Sequence, residues 1–155
     1  MKMDMNLTLE QAGIYYRAIT MINHQLRENR FDGHAYNRRG ACYEQLGNYE
    51  YALGDFSLAI EYEPWPHHYT DRARLYLAMG EYEKCIADCE MANERARALC
   101  ERHGTPYQPF SVALMLNAEA MGYTTQVNKV GIIAPGLSSS QSEQSGSVRP
   151  MSAQA

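Results

Sequence analysis

Small and apolar side chains recur at helical spacing through the middle of the chain. Tyr36, Gly40, Tyr43 and Leu46 step by four and three, and Ala52, Phe56, Ala59 and Tyr62 do the same. Each series is one stripe of a helix. Gly47, between them, supplies the positive backbone angle that ends one helix and lets the next fold back. Pro64 and Pro66 stop the second helix and start another. The segment therefore predicts an antiparallel helix pair.

Thirty-three residues later the same pattern returns. Tyr36/Tyr69, Arg39/Arg72, Tyr43/Tyr76, Gly47/Gly80, Tyr49/Tyr82, Glu50/Glu83, Asp55/Asp88, Ala59/Ala92 and Glu61/Glu94 are identical when residues 36–61 are laid on 69–94. Such agreement marks a structural repeat rather than chance. The phase also reaches backwards, because Gly13, Tyr15 and Ala18 precede Gly47, Tyr49 and Ala52 by 34 residues. Forwards, Gly122 and Tyr123 begin a further unit. Residues 8–29 admit two readings. They form one helix with Ala12, Tyr15, Ile19, Ile22 and Leu26 on a single face, or Gly13 breaks them into a stub and a helix; the repeat phase favours the break. In the third pair the second helix runs long, with Cys85, Cys89, Ala92, Ala96, Leu99 and His103 on one stripe, and Gly104-Thr105-Pro106 closes it. The predicted organisation is a helical-repeat domain over 1–123. It holds a partial unit at about 8–30, full units at about 33–64 and 66–103, and a last helix at about 107–122. Residues 124–155 are rich in serine and glutamine without apolar periodicity, which predicts disorder.

The unit 36–64 resembles the tetratricopeptide repeat, with Tyr36, Gly40, Tyr43, Ala52, Phe56 and Pro64 in the places of its signature. The next unit follows through Tyr69, Ala73, Tyr76, Cys85, Cys89 and Ala92, but Arg97 stands where the closing proline belongs. The resemblance implies an all-α fold of helix-turn-helix repeats stacked into a short right-handed superhelix, an α-solenoid. Arg39 and Arg72 sit where that family most often has leucine, inside the packed seam. A buried guanidinium is costly unless paired, and each arginine has an aspartate sixteen residues on, Asp55 and Asp88. We expect a forked Arg–Asp bridge between the helices of each unit, serving register rather than binding.

Stacked units of this kind present their first helices on a concave surface that takes up an extended peptide or a helix. On that resemblance, the groove is lined by His34, Asn37, Ala41 and Glu44, with Arg38 beside them. One repeat on, it is lined by His67, Thr70, Arg74 and Leu77. The co-chaperone branch of the family holds acidic tails with a clamp of lysines and asparagines. Here Asn37 and Ala41 replace that pair and Asp71 adds a negative charge, which disfavours a chaperone-tail receptor. In the last helix, apolar nearly all round, Phe110, Leu114 and Met121 offer a second surface for a partner or a second copy of the chain.

Composition narrows the classes further. Lysines and arginines number 14 against 18 aspartates and glutamates, a net charge of −4, which gives no basic field for nucleic acid. No apolar run approaches the roughly 18 residues of a membrane span. The first residues do not read as a signal peptide, so the four cysteines are expected to be reduced thiols in a cytoplasmic protein. Cys85 and Cys89 fill places where the repeat wants small apolar residues. His67 and His68 read as residues of a proline-bounded loop, and no zinc spacing is apparent. Neither a phosphate loop nor a nucleophile elbow is present. The reading is an adaptor, not an enzyme, with no cofactor and no membrane or nucleic-acid partner. Its rivals are a small chaperone for an aggregation-prone client, such as a secretion substrate, and a structural subunit of a larger assembly.

Overall fold

The computed structural model describes residues 7–109 and 116–122; the serine-rich segment, with Phe110 and Leu114, lies outside them. Five helices follow one another: α1 (Leu9–Glu28), α2 (Gly33–Gln45), α3 (Tyr49–Tyr62), α4 (Pro66–Met79) and α5 (Tyr82–His103). Residues 116–122 are helical as well, and no strand occurs among the described residues. Each helix packs on its neighbours in sequence, and α2 also touches α4 across the stack. This is the all-α repeat architecture that the sequence pattern predicts.

The turns form for the reasons read from the sequence. Gly47 and Gly80 adopt φ of 73° and 78°, where a side chain is strained, and reverse the chain between the helices of each unit. Pro66 opens α4 at its first turn. With no proline near Arg97, α5 runs on to His103, and Gly104 caps it at φ 65°.

Two expectations need correction. Gly13 does not divide the first unit, because α1 is continuous. Thr8 caps it in a reciprocal box with Gln11, while Ile19, Ile22 and Leu26 bury its face against α2. The gain from that cap and burial exceeds the roughly 1 kcal/mol that glycine costs inside a helix. The last helix does not start at 107 either, since residues 105–109 are not helical and only 116–122 are described as such further on.

Close packing uses the small residues of the repeat. A Cβ added to Gly40 would stand 2.9 Å from two ring carbons of Phe56, a fully buried side chain. Ala52, Phe56 and Leu75 form the core of the first unit, and Ala73, Cys85 and Cys89 that of the second. Ala118, from the 116–122 stretch, closes the second core. Both arginine forks are present. Arg39 donates to Asp55 at 2.8 and 2.7 Å, and Arg72 donates to Asp88 at 2.8 Å twice. Each guanidinium adds a third bond to the preceding helix, Arg39 to Asn23 at 2.7 Å and Arg72 to Ser57 at 3.1 Å. Asn23 and Ser57 are themselves one repeat apart. The bridges thus hold both the helix pair and its stacking on the pair before.

Candidate functional site

The first helices of the two units, α2 and α4, stand side by side, and the residues at corresponding positions meet across them. Asn37 Nδ2 donates to Asp71 at 2.9 Å, and Arg74 donates to Asp71 at 3.0 Å. The same guanidinium reaches the Glu44 carboxylate at 3.1 Å. Asn37, Asp71, Arg74 and Glu44 therefore form one chain of hydrogen bonds along the floor between α2 and α4. Burial works against the charge on Arg74, but the bond and attraction to Glu44 and the charge of Asp71 outweigh it and hold its pKa above the usual arginine value.

This geometry changes the reading of the floor. Of the groove residues named from the resemblance, Asn37 and Arg74 are engaged within the chain, and Thr70 Oγ1 donates to the His67 carbonyl at 2.9 Å. Asn37 Oδ1 is the buried exception and has no hydrogen-bond partner. Arg38 turns away from the floor to Gln25 of α1, at 2.6 Å. Ala41 packs on the first core and Leu77 on the second. Met121 stands half exposed on the 116–122 stretch. Asp71, which the sequence presents as a charge against acidic tails, is the hub, and its place 34 residues after Asn37 is the signal for the pairing.

At one end of the same floor lie His34, His67 and His68. His67 and His68 belong to the first turn of α4, not to a loop, because Pro66 starts the helix directly before them. The His34 and His67 rings stack with centroids 5.3 Å apart, and His68 Nε2 is 3.3 Å from His34 Nδ1. His68 is fully buried, and its Nδ1 meets the Glu63 carbonyl at 2.7 Å. Burial lowers the pKa of both His67 and His68 and keeps their rings neutral near pH 7, the neighbouring histidines acting in the same direction. Trp65 extends the ring stack, 6.3 Å from His34. A separate cavity of about 350 Å³ opens between the α3–α4 connection and the far half of α5, lined by Trp65, Arg95, Leu99 and Arg102 among others.

Stacked helix hairpins with paired first helices along one floor define a helical-repeat protein. Residues 34–65 match the tetratricopeptide repeat family. A comparison with curated protein sequences gives no significant match. Among solved structures, the chain is similar to the TPR2B domain of yeast Sti1 in complex with pHsp70, at TM-score 0.60 and 18% identity over 70% of this chain and 85% of that one. It is also similar to PcrH in complex with the chaperone binding region of PopD, at TM-score 0.54 and 25% identity over 77% and 84%. The Yersinia enterocolitica type III secretion translocator chaperone SycD gives TM-score 0.55 and 19% identity over 78% of each chain. The chain thus carries a tetratricopeptide repeat at residues 34–65 and shares the all-α repeat fold of these structures. Among the described residues, no helix is long and apolar enough to cross a membrane.

Proposed function

We propose that the protein binds an extended peptide or a helix of a partner protein along the floor between α2 and α4. The observation that carries this reading is the continuous polar floor Asn37–Asp71–Arg74–Glu44, framed by the ring cluster at one end. Two carboxylates against one guanidinium leave the floor slightly negative. A neutral or weakly basic segment fits it better than an acidic tail. Asn37 Oδ1, buried and unpartnered, gives a bound backbone N–H an acceptor after a small side-chain rotation. A chaperone for a secretion substrate is the second reading, favoured by the likeness to PcrH and SycD.

A partner isolated with the wild-type chain is the material for the test, its affinity then measured by fluorescence anisotropy. Replacing Asn37 and Arg74 by alanine together should weaken binding about 10- to 30-fold, the effect of removing one or two interface anchors. Helical circular dichroism should be unchanged. Full binding by the folded double variant would place the contact elsewhere.

A further inference from the structure

The ring cluster has a hydrogen-bonding deficit that the protein's own groups do not resolve. His68 carries its proton on Nδ1, facing the Glu63 carbonyl at 2.7 Å, so its Nε2 presents a lone pair toward His34 Nδ1 at 3.3 Å. On the other side of His34, Nε2 lies 3.4 Å from Glu63 Oε2, a buried carboxylate oxygen that makes no hydrogen bond. A single proton on the His34 ring meets only one of these two contacts. Placed on Nδ1, it leaves the Nε2 lone pair facing the carboxylate; placed on Nε2, it leaves two imidazole lone pairs facing each other. One added positive charge between His34 and His68 satisfies both sides at once.

We propose that His34, His67 and His68 bind a divalent transition-metal ion of the zinc class. One nitrogen from each ring lies within 4.8 Å of the others. Two imidazole nitrogens at the zinc–nitrogen distance of about 2.0–2.1 Å and a tetrahedral angle are separated by about 3.3 Å. The His34 Nδ1 to His68 Nε2 spacing has this value already. His67 is exposed and needs an inward movement of at most about 1.5 Å to reach the same spacing. The outer contacts have the arrangement common around such ions. The Glu63 carbonyl fixes His68 in the tautomer with Nε2 free, and the Glu63 carboxylate lies 3.4 Å from His34 Nε2, on the far side of that ring from Nδ1. Imidazole donors suit zinc, copper and nickel, and three of them leave a fourth position open to water at the end of the floor. The site joins α2 to the start of α4, so an ion there ties the two units together.

The competing occupant is a proton shared by His34 and His68, and the competing ligands are the thiols of Cys42, Cys85, Cys89 and Cys100. The full chain, without a polyhistidine tag and stripped of metal, is titrated with Co²⁺ as a spectroscopic probe and then with Zn²⁺. One equivalent of Co²⁺ is expected, with a tetrahedral ligand-field spectrum lacking thiolate charge transfer, displaced by Zn²⁺. A His34→Ala/His67→Ala variant changes two exposed side chains and so keeps its fold; its affinity should fall at least tenfold. No saturable uptake, uptake with thiolate charge transfer, or equal affinity in the double variant would each overturn the site.

Discussion

Removing the Asp55 carboxylate tests most directly how the repeat is held together. Asp55 is only 5% exposed, and its two oxygens accept from Arg39 at 2.7 and 2.8 Å. Alanine in its place leaves a guanidinium in the seam with Asn23 as its remaining hydrogen-bond partner and the Tyr36 ring beside it. Losing one member of a buried ion pair costs about 3–5 kcal/mol. The Arg39 side chain is 20% exposed, so water reaches part of the vacated charge and the loss falls at the lower end, about 3 kcal/mol. For a repeat domain of this size that is a fall in Tm on the order of 12–20 °C.

The assay is urea unfolding followed by circular dichroism for the wild type, Asp55→Ala, Asp55→Leu, Arg39→Leu and Arg39→Leu/Asp55→Leu. The double leucine variant should lie within about 1.5 kcal/mol of wild type, since an apolar pair of fitting volume removes the desolvation cost together with the attraction. A coupling of about 2–3 kcal/mol should then separate the singles from the double. The repeat supplies its own replicate, because Asp88 is equally buried and is held by Arg72 at 2.8 Å twice. Asp88→Ala should match Asp55→Ala within about 1 kcal/mol. A loss for Asp55→Ala of no more than about 1 kcal/mol, as for exposed ion pairs, would refute the account.

Two further outcomes follow from backbone and packing. Gly13→Ala should stabilise the protein by about 0.5–1 kcal/mol in urea unfolding, because the position is mid-helix and a Cβ there meets nothing within 4 Å. Gly40→Ala should destabilise by about 1–3 kcal/mol despite the same propensity gain, because the methyl would overlap the Phe56 ring. Thr8→Ala removes the cap that accepts from the Gln11 amide and should cost about 1 kcal/mol, read by hydrogen exchange as faster opening of the first turn of α1.

The parts legible in the sequence are those that both copies of the repeat carry. Gly47 and Gly80 mark the reversals, and the arginine forks showed because both members of the pair recur with the same separation. The continuity of α1 is hidden by the repeat phase, which places Gly13 at a turn position. Thr8 with Gln11 is a readable helix start, and Gly13 has no steric reason to turn. The closed state of the floor was hidden for another reason. Asn37 and Asp71 differ in type, so no recurrence marked them as partners, and their bond depends on how the two units stack.

That stacking obeys a simple arithmetic. Residues 33 or 34 apart occupy equivalent places on successive first helices, and those helices lie side by side. A first-helix position in one unit therefore meets its own counterpart in the next: Asn37 meets Asp71, and His34 meets both His67 and His68. Unlike residues in such places form a donor–acceptor pair and close the floor. When both units carry histidine, the repeat instead brings like side chains together, with their ring nitrogens within 4.8 Å of one another. Recurrence in the packed seam thus signals structure, whereas recurrence on the first-helix face concentrates one chemistry at a point. His34 and His67 are the groove positions at which the two units carry the same residue, and it is there that the rings gather, with the Glu63 carboxylate 3.4 Å from His34.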